Sequence, residues 1–203
     1  MPETGAGDDE PDYAEQIAAN ADVHKNAWQQ TLDDMKALGE ELESEGWDVQ
    51  TIGAGHVAPT NPDAGGSDRF GLVYVIPDNM ADEFEQAVET GSFPQYQVFR
   101  NEMQGRVFQV TKLLDPETEQ AILLAGSYEL RHAPGMVKTA LERDEMYTHV
   151  QTLDQTHLGS FRHEDVETFF PNPQRYEDYE VDFEIGAEAV GEDYEDEVYD
   201  DEA

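Results

Sequence analysis

The chain contains no cysteine. Disulfides, thiolate metal centres and cysteine nucleophiles are excluded together. Bases are scarce as well: 11 Lys and Arg stand against 47 Asp and Glu in 203 residues, a formal net charge of −36. The lysines are only Lys25, Lys36, Lys112 and Lys138. With no basic stripe to release counterions, direct binding to nucleic acid or to anionic lipid is excluded. No apolar run approaches the ~18 residues of a membrane helix. The opening "MPETGAGDDEPDY" has neither the basic nor the apolar region of a signal peptide. These absences describe a soluble, cytoplasmic protein with no membrane partner. Catalytic motifs are missing too. There is no Walker loop and no His-Glu-x-x-His, and Gly159-Ser160-Phe161 lacks the second glycine of a nucleophile elbow.

What is present is acid, spread along the whole chain. Residues 177–203 hold 14 acids and no base, which leaves 33 acids against 11 bases in residues 1–176. Such a body repels itself in dilute buffer. At about 1 M salt the Debye length falls to about 3 Å and the repulsion is screened.

Residues 1–12 are rich in Gly, Pro and acid and read as a disordered N-terminus. From Tyr13 to Glu45, Ile17, Ala21, Trp28, Leu32, Met35, Leu38 and Leu42 form one apolar stripe, a helix of ~30 residues ending at Gly46. "WDVQTIGAGHV" reads as one strand, "APTNPDAGGSD" as a loop and "RFGLVYVIP" as a central strand. A short helix over "NMADEFEQAVETG" precedes three strands. The first two meet at a tight turn at Gln104-Gly105, and the last two at a Pro116 turn. A helix at "APGMVKTALERD" leads to a final hairpin and a short helix at "EDVETFF".

The expected fold is α+β. One antiparallel sheet of about five to seven strands carries a long N-terminal helix and two shorter ones, in an element order like that of profilin-like and roadblock-like folds. The expected organisation is a single domain over 13–172, followed by an acidic, aromatic-interleaved tail over 173–203.

Gly53-x-Gly55-x-x-Ala58, with Asp78 about 20 residues on, satisfies a dinucleotide fingerprint as text. Pro59 and Asn61-Pro62 follow, so no helix opens where the pyrophosphate would sit, and no cofactor is implied. Arg69, Arg100 and Arg106 are candidate anion contacts, although arginines in so acidic a chain pair first with neighbouring carboxylates.

"YTHVQTLDQTHLGSFRHED" carries His149, His157 and His163. A two-residue loop places His149 opposite Ser160, with His157 and His163 on the other face. A three-residue loop puts all three on one face. His157 and His163 are then about 20 Å apart along one strand, beyond any shared metal. Only His149 and His163 can converge, as a diagonal pair. The candidate histidine site is therefore His56, His149 and His163, with no metal assigned. In the tail, Tyr179, Val181, Phe183 and Ile185 alternate with acids, the pattern of an edge strand or of a peptide that adds to another sheet.

"GWDVQTIGAGHVAP", "GGSDRFGLVYVIPD", "VFRNEMQGRVFQVTKLLDPET", "AILLAGSY" and the histidine hairpin together resemble an uncharacterised protein family of halophilic archaea, over roughly Gly46 to Pro171. The resemblance implies a salt-loving host and a cytoplasmic setting. It implies no activity, cofactor or catalytic residue. The sequence thus points to a binding, regulatory or scaffolding module rather than an enzyme. It would associate with itself or a protein partner through the long helix or a sheet edge. An enzyme or metal protein using a histidine and carboxylate site is the alternative.

Overall fold

The computed structural model describes residues 13–62 and 70–176, with side chains from residue 20 onward. Helix α1 (Tyr13–Ser44) runs 32 residues. Its stripe is buried at Met35 and Leu42 and half-buried at Trp28, Leu32 and Leu38, while Ala21 is exposed and Ile17 lies before the described side chains. Gly46, at φ +99°, ends the helix, and the Trp47 amide bonds back to the Leu42 carbonyl at 3.1 Å. This is the left-handed stop that glycine permits.

The strands are β1 (Asp48–Gly53), β2 (His56–Thr60), β3 (Gly71–Val75), β4 (Gln95–Met103), β5 (Arg106–Asp115), β6 (Gln120–Glu129), β7 (Met146–Gln151) and β8 (His157–His163). Helices α2 (Ala81–Thr90), α3 (Pro134–Arg143) and the single turn α4 (Val166–Phe169) follow, with 3-10 turns at Asp78–Met80 and Leu130–His132, and residues 174–176 are again helical.

One antiparallel sheet was expected; there are two mixed sheets of four strands, ordered β1-β6-β5-β4 and β2-β3-β7-β8. Two parallel pairings between distant segments, β1 with β6 and β3 with β7, account for the difference. "WDVQTIGAGHV" is not one strand. It breaks at Ala54-Gly55, and its two halves join different sheets. Ala58, Pro59 and Thr60, read as loop, finish β2 instead. Pro59 is tolerated because β2 is an edge strand, where a missing N–H leaves no ladder bond broken. The hairpin turns follow their local chemistry. Gln104 and Gly105 have φ of 49° and 75°, the left-handed pair that a two-residue turn requires.

The layers follow from strand alternation. Val110, Leu114, Ala121, Leu123 and Ala125 face α1. Leu113, Ile122 and Leu124 point the other way and meet Leu72, Tyr74, Val57 and Phe161 of the second sheet. Ile122, Leu123 and Leu124 are consequently all buried, one face against the helix and one against the partner sheet. Gly126 lets the sheets approach: a Cβ there would lie 2.3 Å from Val57 Cγ2 and 2.8 Å from Tyr74 Cε1.

A buried polar knot ties the sheets together. The Gln109 amide donates to the Tyr74 hydroxyl at 2.6 Å, and that hydroxyl lies 3.0 Å from Thr111 Oγ1. Burial pushes the Tyr74 hydroxyl above its ordinary pKa, so it stays neutral and can still donate. Tyr74→Phe strands a buried amide without its main acceptor. The expected loss is about 1–3 kcal/mol, measured by urea unfolding in molar salt.

Candidate functional site

Pairing in the β7–β8 hairpin follows the shorter register. His149 is opposite Ser160, Thr148 opposite Phe161 and Met146 opposite His163. Directly paired residues share a face and successive residues alternate. His149 and His163 therefore stand on opposite faces of the sheet and do not form a diagonal pair. The ladder shifts between Val150 and Gln151, so Gln151 pairs with His157 rather than with Leu158. That irregularity turns His157 onto the face of His149, with ring centroids 6.1 Å apart. The expectation that His157 stands apart from His149 is corrected by this one-residue shift.

His56 shares the same outer face. It pairs with Val75, Val75 with Gln151, and Gln151 with His157. Three strand spacings of about 4.8 Å put it about 14 Å from His157, so it joins the row but not the cluster. Among the described residues no three His, Asp or Glu side chains stand together as a metal set.

His163 faces the interior. Its ring packs against Tyr96 at 4.4 Å and Phe169 at 4.7 Å, and Nε2 meets Thr148 Oγ1 at 2.9 Å. Nδ1 is buried with no hydrogen-bond partner. Burial chiefly, with the charge of His149 adding to it, holds the pKa down to about 3. The ring is a neutral core residue, not a ligand-facing one.

The outer face holds a continuous hydrogen-bonded series. His149 is buried, at 5% exposure, with Nε2 3.0 Å from the Phe70 carbonyl oxygen. Its Nδ1 lies 2.7 Å from Ser160 Oγ, which is also 3.1 Å from His157 Nε2. Ser160 and His157 are exposed. The Tyr147 ring stacks parallel to His149, 5° off plane. Phe70, which meets Tyr147 edge-on, is capped by the Arg143 guanidinium at 4.7 Å. The imidazole is thus clamped in orientation on one side by a ring and at one nitrogen by a carbonyl. Ser160 was not singled out from the sequence. The signal for it was the two-residue register itself, which sets it opposite His149.

The arginines are placed as follows. Arg106 donates to Glu129 at 2.9 Å, and Arg131 reaches the same carboxylate at 2.6 Å. These charges also hold the Glu129 carboxyl below its ordinary pKa, against the opposing effect of its partial burial. Arg100 is half-buried and reaches the Tyr176 hydroxyl at 3.4 Å. Beside it, Arg175 grips Glu102 on β4 with two nitrogens, at 2.8 and 3.0 Å. The space enclosed by these groups is about 10 Å³, room for a single water. Arg69 and the alternating residues Tyr179, Val181, Phe183 and Ile185 lie outside the described residues.

β4 is one edge of the first sheet among the described residues, with β1 at the other. Its side chains alternate in exposure along all nine residues, and the row facing the α1 side includes Phe99, 43% exposed, and Met103, 36% exposed.

No helix among the described residues is long and apolar enough to cross a membrane. No curated protein and no solved structure matches the chain, so no likeness to profilin or roadblock folds is shown. Residues 14–171 match a protein-family model, and the chain belongs to that family, a family of unknown function designated DUF7529.

Proposed function

We propose that this chain is a binding and assembly module that pairs with a second copy of itself through the β4 edge, in a salt-rich cytoplasm. One observation supports the reading: β4 is an edge strand among the described residues, long and self-complementary. Phe99 is the middle residue of the nine from Gln95 to Met103. A two-fold antiparallel pairing centred there sets Phe99 against its own copy and Gln97 against Asn101. On the other face Val98 meets Arg100 and Tyr96 meets Glu102. No like charges are opposed, and an exposed aromatic gains an aromatic partner. Edge strands that must remain single are ordinarily blunted by lysine, proline or a bulge. The sequence of β4 contains neither lysine nor proline.

The net charge of −36 sets the conditions. Two such bodies repel in dilute buffer and approach freely when salt shortens the Debye length to about 3 Å. The expected result is a dimer by sedimentation equilibrium in molar salt, weakening as salt is lowered. Phe99→Lys, which opposes two ammonium groups at the centre of the pairing, should weaken it at least about tenfold, or ~1.4 kcal/mol. A strictly monomeric full-length chain in molar salt overturns the reading. So does a dimer that Phe99→Lys leaves unchanged.

A further inference from the structure

We infer that Ser160 is an activated nucleophile, deprotonated by His149, and that the outer face of the second sheet carries out acyl transfer from carboxylic esters. This goes beyond the assembly reading, because the site lies on β7 and β8, in the sheet that does not contain β4.

The direction of the hydrogen bonds carries the argument. A backbone carbonyl only accepts, so His149 Nε2, 3.0 Å from the Phe70 oxygen, must carry a proton. In the neutral ring Nδ1 is then a lone pair, aimed at Ser160 Oγ from 2.7 Å. The serine has one proton, and it goes to His149. His157 Nε2, 3.1 Å from the same oxygen, must therefore donate to it. The series runs one way, from the exposed His157 through Ser160 and His149 to the Phe70 carbonyl. A hydroxyl that gives its proton to a base oriented by a third group is the arrangement of an activated nucleophile. Here a carbonyl stands where the familiar triad has a carboxylate, and the ring is reversed: Nε2 carries the fixed proton and Nδ1 is the base. Other hydroxyls, such as Ser44 on Glu41 and Thr31 on Ala27, donate to backbone carbonyls, and Thr148 meets a ring, His163, that burial keeps from taking a proton. Acceptors of that kind take no proton.

The step balances within the site. Oγ attacks the acyl carbon as its proton passes to His149 Nδ1. The C–O bond to the leaving alkoxide breaks, and Nδ1 returns the proton to that oxygen. Water then attacks the acyl-serine, giving its proton to Nδ1, and the acid departs as Oγ takes the proton back. The His157 N–H, 3.1 Å from the attacking oxygen, is the donor assigned to the developing oxyanion. Val73, opposite His149, and Ala58 beyond it are half-buried and give a short acyl chain an apolar floor.

The absence of cysteine makes the test clean. The full chain is treated in molar salt with a fluorophosphonate probe, which releases fluoride and leaves a stable adduct. One adduct per chain is expected, on Ser160, absent from Ser160→Ala and formed at least about 100-fold more slowly in His149→Gln. His149 is buried, so a second measurement guards against misfolding. Ser160→Cys, whose thiol is then the only one present, should react with iodoacetamide at least tenfold faster than Ser44→Cys, an exposed control. No adduct on Ser160, or equal alkylation rates for the two thiols, overturns the inference.

Discussion

Between pH 8 and pH 5 the chain should lose about 2 kcal/mol of stability that a His163→Gln variant keeps. His163 has a pKa of about 3 in the folded state, against about 6.5 in the unfolded chain. Its folded value is depressed, so below pH 6.5 the unfolded state binds the proton that the folded state refuses. Stability contributed by the neutral ring is fully present above that value and is lost as the pH falls towards 3. The whole difference of about 3.5 pH units is worth roughly 5 kcal/mol at 1.36 kcal/mol per unit. The physical cause is visible in the site. A cationic ring would present two N–H donors, and only Nε2 has a partner, Thr148. Tyr96 and Phe169 cover the rest. The window from pH 8 to 5 matters because the many carboxylates remain largely ionised there and do not mask the histidine. Glutamine can still bond Thr148 and does not titrate. Urea unfolding of both chains at several pH values should show converging stabilities at low pH. Parallel profiles would disprove the assignment.

Gly71→Ala should be the most damaging small substitution on the second sheet. Gly71 has φ +123°, and a Cβ there would lie 2.0 Å from the Tyr147 carbonyl oxygen. That neighbour is backbone in the β7 strand, so it cannot rotate aside. Strain and overpacking together should cost at least about 3 kcal/mol, a fall in Tm of roughly 6–12 °C. Gly105→Ala separates the two causes. Its φ is +75°, yet nothing lies within 4 Å of the added carbon. It should cost only about 1–2 kcal/mol, the price of the left-handed backbone alone. Equal losses at the two positions would show that the close approach of β3 to β7 is not what glycine serves. The same clash bears on chemistry. Gly71 follows Phe70, whose carbonyl fixes the His149 tautomer, so a displaced β3 should also slow probe labelling of Ser160.

Much of the local structure was legible because local chemistry determines it. The stripe on α1, the Gly46 stop and the Gln104-Gly105 turn each depend on a few neighbouring residues. Apolar spacing, a missing Cβ and a tight loop act whatever the rest of the chain does. The absence of cysteine and the excess of acid likewise restrict chemistry and solvent without reference to fold.

The tertiary structure decided what depends on distant partners. Whether Trp47–Val57 is one strand or two turns on β6 and β3, which lie far along the chain and compete for its halves. Parallel pairings leave no hairpin signature, so a second sheet could not be read from element order. The histidine cluster changed for the same reason at smaller scale. A one-residue irregularity moved His157 onto the face of His149, and alternation sent His163 into the core. A period of two makes side-chain facing turn on a single residue of register. Composition cannot supply that residue; only the packed hairpin does.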